Sequence, residues 1–215
     1  MNGYRYDPHT HTAETSRCGH LYAADVVDRY IRSGFTGLVV TDHLHPEYLS
    51  RIDTEHNWDK VMDHYLGGYH ASKRRGDEVG LDVILGAELR FPENDNDYLV
   101  YGIDEQWLRS NPYICCMSAQ EFFDKYHDQV LIIHAHPFRK GSASVQETAI
   151  HGAEIMNCNP RHENNNDKAL ELCRRHPAYY RLAGSDTHRD GDEARTAVIL
   201  PERVHDSFAY KRIIE

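Results

Sequence analysis

Histidines and carboxylates recur along this chain in short, ligand-like groups. They are His9-Thr10-His11, Thr41-Asp42-His43, Gly86-Ala87-Glu88, Asp97, His134-Ala135-His136-Pro137 and Gly184-Ser185-Asp186-Thr187-His188. In extended backbone, residues two apart point to one side, so His9 and His11 can offer two imidazoles to one cation. A carboxylate such as Glu88 can bridge two cations, and Asp186 with His188 offers an oxygen and a nitrogen from the same edge. Mixed nitrogen and oxygen ligation suits zinc, manganese or iron(II) better than calcium or magnesium. Each motif alone reads equally well as a surface pair, a turn or a helix cap. Their joint placement at consecutive strand ends does not.

The elements that must position these groups follow from hydrophobic pattern. Apolar, β-branched runs predict strands over 3–8, 36–41, 82–87, 97–103, 130–135, 152–157 and 180–184, with a further one over 196–200. Between them lie helical patterns. Leu21, Ala24, Val27, Tyr30 and Ile31 share one face, and Val61, Met62, Tyr65, Leu66 and Tyr69 share another in a longer helix. Ser118 is the expected N-cap of a helix carrying Phe122, Phe123 and Tyr126, and Ala169, Leu170 and Cys173 mark one more before Pro177. Strands alternating with helices predict an α/β fold with a parallel sheet, formed as a distorted (β/α)7 barrel in a single domain over 1–215. An open doubly wound sheet is the alternative, without a Gly-rich dinucleotide fingerprint to support it. In such a barrel the residues just past each strand converge on one mouth.

Bulk composition narrows the partners. With 24 Lys and Arg against 34 Asp and Glu, the formal charge of −10 argues against binding nucleic acid through its phosphates. Bound divalent ions would make the cleft itself less negative than that total. Five cysteines without a C-x-x-C pair argue against a disulfide scaffold or a zinc ribbon. No apolar run approaches the roughly 20 residues of a membrane helix, and a strand-like segment starting at Tyr4 leaves no room for a leader. A cytoplasmic protein with no membrane partner is the expectation.

These ordered motifs resemble those of the PHP (polymerase and histidinol phosphatase) superfamily: a first-strand His-x-His, then Thr-Asp-His, Gly-x-Glu, His-Pro and a terminal Gly-Ser-Asp-x-His. The resemblance runs from Asp7 to His188. It implies a distorted (β/α)7 barrel that hydrolyses phosphate esters with two or three divalent metal ions (Mn, Zn or Fe). By that resemblance His9, His11, Glu88 and Asp186 bind the first ion, and Glu88 bridges to a second held by His136. His43 and His188 hold a third, with His20 as the remaining ligand. Two departures stand out. The family often carries histidine where Asp97 stands, and an oxygen ligand there shifts preference toward manganese, iron or magnesium. The family's Ser-Asp-Gly after the first motif is replaced by Ser16-Arg17-Cys18-Gly19-His20.

Closely spaced divalent ions would lower the pKa of water to about 7 and clamp phosphoryl oxygens. The expected reaction is therefore in-line attack by a metal-bridging hydroxide on a small phosphorylated metabolite, without a covalent intermediate. Arg161 and His162, in a Pro-Arg-His resembling that of the family's small-molecule phosphatases, are first candidates for gripping phosphate. Arg139 and Arg195 follow. His45 is the candidate proton shuttle to the leaving alcohol, whereas His134 is expected to pack in the interior. The alternatives are a nuclease or phosphodiesterase acting on nucleotides or nucleic acid ends, a protein-tyrosine phosphatase, or a metal-binding module without catalysis.

Overall fold

The computed structural model describes residues 3–215. In chain order its elements are β1 (Tyr4–Thr10), α1 (Ala23–Arg32), β2 (Gly37–Val40), β3 (His43–Leu44), α2 (Pro46–Ile52), α3 (Trp58–Tyr65) and α4 (Gly67–Val79). There follow β4 (Asp82–Leu85), β5 (Ala87–Arg90), β6 (Asp97–Tyr101), α5 (Glu105–Ser110), α6 (Ala119–Tyr126) and β7 (Leu131–His134). The chain closes with β8 (Gly152–Asn157), α7 (Asn166–Arg175), β9 (Tyr180–Gly184), β10 (Val198–Leu200) and α8 (Ser207–Ile214).

Helix ends follow local chemistry. Ser118 caps α6 in a reciprocal capping box with Glu121. The long helix expected around Val61–Tyr69 is two helices, α3 and α4, divided at Leu66 and Gly67, where successive glycines weaken helical continuity.

The strands form a mixed α/β structure with two sheets, ordered β10-β1-β2-β4 and β3-β5-β6-β7-β8-β9. Pairing is thus divided, where a closed barrel would show one continuous ring. Direction also differs from the all-parallel expectation: β5–β6 and β6–β7 are antiparallel, as is β1–β10. Only residues 91–96 separate β5 from β6, too few for the crossover that a parallel pair requires.

The two sheets meet in two places. Past β2, the Gly86 N–H donates to Val40 O at 2.9 Å and the Glu88 N–H to Asp42 O at 3.1 Å, which leads into the β3–β5 pair. On the other side Thr10 bridges Thr187, with His11 N–H to Thr187 O and Asp186 N–H to His9 O, both at 3.0 Å. The segments making these junctions are the ones that carry the His-x-His, Thr-Asp-His, Gly-Ala-Glu and Gly-Ser-Asp motifs. That is how residues up to 179 positions apart in sequence (His9 to His188) come to one place.

Packing beneath the junction is shared. Tyr6, Val39, Ile84, Leu99, Leu131 and Leu182, from strands of both sheets, form one buried cluster. Each such side chain contributes about 1.5–3 kcal/mol through burial. Helices α1 and α4 cover the β2–β4 face, α3 and α6 pack over β5 and β6, and α7 lies against β8. No helix among the described residues is long and apolar enough to cross a membrane.

Candidate metal centre

Two aspartates build the platform for the ligand-like side chains. Asp7 accepts the backbone N–H of His9 and of Ser185, both at 3.1 Å, and the hydroxyl of Tyr30 at 2.7 Å. It thereby locks β1 to the loop after β9. Asp42 accepts from the Thr12 backbone at 2.8 Å, the Thr12 hydroxyl at 2.6 Å and the Ser16 hydroxyl at 2.6 Å. It holds the loop after β1 beneath His43. Burial pushes both carboxyls up to about 6, against the pull of those hydrogen bonds.

On this platform four overlapping groups have ligand atoms within 4.8 Å of one another: His9/His11/Glu88, His9/His136/Asp186, His11/His43/His188 and His43/Glu88/Asp97. Glu88 is their hub. Its Oε1 lies 3.2 Å from the Nε2 atoms of both His9 and His136. Its Oε2 lies 3.3 Å from His11 Nε2 and 2.9 Å from His43 Nδ1. Asp186 Oδ1 lies 3.4 Å from the Nε2 atoms of His9 and His11 and 2.8 Å from that of His188. Both His136 and Asp186 adopt left-handed backbone, with φ of 32° and 55°. Such strain in non-glycine residues gathers where chemistry needs a side chain aimed.

Second partners fix how these ligands face. His9 Nδ1 lies 3.1 Å from Glu154 Oε1, whose other oxygen accepts the His136 N–H and the Asn157 amide, both at 2.9 Å. A carboxylate on Nδ1 selects the tautomer with its proton there, so the Nε2 lone pair points into the cluster. It meets Glu88 Oε1, Asp186 Oδ1 and, at 3.1 Å, His11 Nε2. Acceptor atoms converging on one buried spot require either protons or a cation between them. The donor set therefore fits a divalent metal ion. Gly184 is needed for this fit: a Cβ there would collide with the Glu154 carboxylate and with His9 Cβ.

Electrostatics without metal show the same tension. Burial would raise the Glu88 and Asp186 carboxyls, but the facing imidazoles hold both well below the usual carboxylate range. Burial opposes charge on His9 and His43, yet the carboxylates raise both imidazoles well above their ordinary value. His188 rises to about 9 against its burial, chiefly through Asp186. His11 moves the other way, driven down by burial and by His188 and His43.

Other expected residues fall differently. His20 is exposed and belongs to none of the four groups; its backbone N–H donates to His188 O at 2.7 Å. Cys18 also belongs to none of the four groups; burial would raise its thiol, but the neighbouring His188 and His43 imidazoles lower it to about 6. Asp97 reaches the cluster while making a bidentate pair with Arg90, at 2.8 and 2.9 Å. Arg139 is engaged by Asp186, with Asn164 and Asn157 also accepting from it, so it orients a ligand-like carboxylate. Arg161 is engaged by Asp192, which also accepts the backbone N–H groups of His188 and Arg189. His162 and Arg195 line a cleft rich in asparagine, which adjoins the centre through Asn157, bonded to Asp186 and Glu154. His45 caps α2, its Nδ1 accepting the Tyr48 N–H at 3.0 Å. Burial, then the charge of His43, lowers it to about 4.

His134 is fully buried, stacks on Tyr98 at 5.0 Å between ring centroids, and has no hydrogen-bond partner for either ring nitrogen. Burial first, and His136 second, lower it from 6.5 to about 3. The unfolded chain therefore binds a proton here that the native one refuses. This contribution to stability is complete above pH 6.5 and lost as pH falls toward about 3, at a limiting slope of about 1.4 kcal/mol per pH unit. Urea unfolding across that range is expected to show a shallower acid slope for His134→Phe than for wild type; parallel slopes would contradict the assignment.

No family model and no curated protein matches the chain. Solved structures do. One is described as a two-domain protein from Bacteroides vulgatus containing a predicted PHP-like metal-dependent phosphoesterase. It matches at TM-score 0.66 and 17% identity over 98% of this chain; the match spans 62% of that longer protein. An amidohydrolase from Chromobacterium violaceum, with bound sulfate and no metal, matches at TM-score 0.62 and 15% identity over 100% of this chain and 97% of its own. A provisionally named metal-dependent phosphoesterase from Bifidobacterium adolescentis matches at TM-score 0.56 and 15% identity, over 97% and 95%. At these identities the likeness is one of fold.

Proposed function

We propose that the chain is a metal-dependent hydrolase of small phosphate monoesters, built on a distorted β/α barrel of PHP type. The observation that carries this reading is the convergence of His9, His11, Glu88, His136 and Asp186 on one buried, acceptor-lined spot. The names of two structural neighbours, as metal-dependent phosphoesterases, support it. Divalent ions bound there supply Lewis acidity and a lowered pKa for water, the chemistry that phosphate ester hydrolysis needs.

The chain's own residues then have defined tasks. His9, His11, Glu88 and Asp186 would hold one ion, and Glu88 with His136 and Asp97 a second. His43 and His188, with His11 against both, would hold a third. Glu154 orients His9, and Arg139 orients Asp186. Neutral His45, with Nδ1 committed to the helix cap, keeps Nε2–H as a hydrogen-bond donor for the leaving group.

The test is a substrate panel after chelation and reloading with manganese, zinc or iron: phosphate monoesters, dinucleotides, oligonucleotides and, because one neighbour is named an amidohydrolase, simple amides. Metal-dependent phosphate release from monoesters, with none from oligonucleotides, is expected. Amide cleavage without phosphate release from any monoester would overturn the reading.

A further inference from the structure

The cleft of about 470 Å³ that opens on His43 is lined by arginines from four separate elements. Arg17 comes from the loop after β1, Arg51 from α2, Arg90 from the end of β5 and Arg189 from the loop after β9. Arg90 is paired with Asp97. Arg17, Arg51 and Arg189 make no ion pair among the described residues, and one carboxylate, Glu47, lines the same cleft. In a chain with ten more acidic than basic side chains, this is an unusual place to leave guanidinium groups unanswered.

Unpaired like charges gathered in one concavity repel one another even when exposed to water, and an anion that joins them relieves that repulsion. Guanidinium groups match the flat, two-oxygen faces of carboxylate and phosphate, and a positive cleft in an acidic protein draws such anions in. At a metal centre the scissile phosphate already has cations of its own. The three free arginines lie beside that centre, on the side bounded by His43 and His45, and the volume is that of a site for a small organic ligand.

We infer that this cleft binds a second anionic group of the substrate, so that the preferred substrate is a phosphate monoester carrying a further phosphate or carboxylate. The inference rests on the phosphatase reading above. It adds that Arg17, Arg51 and Arg189 set specificity by the charge at the far end of the substrate.

The test compares three substrates on the metal-loaded full chain. They are a hexose bisphosphate, phosphoglycolate, whose second anion is a carboxylate, and p-nitrophenyl phosphate, which has none. Wild type is expected to favour at least one of the two substrates with a second anionic group through a lower KM, with that preference weakening as salt rises. In Arg17→Gln, Arg51→Gln and Arg189→Gln, the ratio of kcat/KM for that substrate over p-nitrophenyl phosphate should fall by about tenfold or more. Whether the bisphosphate or phosphoglycolate responds identifies the second anion. Ratios unchanged in all three variants overturn the inference and leave the phosphatase reading standing. If no monoester is hydrolysed, calorimetric binding of inorganic pyrophosphate to metal-free protein decides the cleft's role. Binding at least about tenfold weaker in the variants supports it, and equal binding overturns it.

Discussion

Glu88→Gln is expected to lower kcat/KM for a phosphate monoester by about a thousandfold, on the order of 4 kcal/mol, and to lower the metal content of the purified protein with it. The geometry gives the reason. Glu88 sets one oxygen between His9 and His136 and the other between His11 and His43, at 2.9 to 3.3 Å. Glutamine keeps the shape but replaces one oxygen with an amide that cannot ligate a cation and removes the charge that balances two. In the metal-free protein it also removes the main counter-charge of the raised His43 imidazole and one of the three carboxylates facing His9. Steady-state kinetics with metal analysis on the same preparations checks this. A loss below tenfold with metal content intact would contradict the role.

Glu154→Gln is the second large effect, although Glu154 lies behind the ligand-like shell. Metal affinity is expected to fall by about 10–100-fold. One Glu154 oxygen faces His9 Nδ1, and the other accepts from His136 N–H and the Asn157 amide. Whichever way glutamine turns, its NH2 is set against a donor. Either His9 loses the partner that fixes its tautomer, or the backbone of His136 loses its acceptor. The site is fully buried, so an unmatched group there costs about 1–3 kcal/mol. Titration with manganese or zinc against a chromophoric chelator measures the affinity, and Glu154→Asp separates charge from reach. Affinity unchanged in Glu154→Gln would remove Glu154 from the account.

The groups that the structure brings together were readable because their pattern is local. His9 and His11 stand two apart at the end of β1, and Asp186 and His188 share a loop, so spacing along the chain already placed them. What decides their surroundings is not local. Arg139 and Arg161 look like free cations in sequence, but each is engaged by a carboxylate 31 or more residues away. His20 and Cys18 sit in one short loop and both are exposed, and only the path of that loop sets the thiol toward His43 and His188. Glu154 lies inside β8 rather than at its end, and its role depends on β8 lying between β7 and β9. Strand direction was illegible for a related reason. The apolar run over 82–87 does not show that β4 ends at Leu85 and the chain goes on as β5, which the short segment 91–96 turns back onto β6.

The whole account depends on imidazoles and carboxylates from both sheet junctions sharing cations. Anomalous diffraction from crystals of the protein loaded with manganese or zinc locates such ions directly. The account predicts peaks between His9, His11, Glu88 and Asp186 and between Glu88 and His136, both lost in Glu88→Gln. Well-ordered crystals with no peak among these side chains at saturating metal would contradict it.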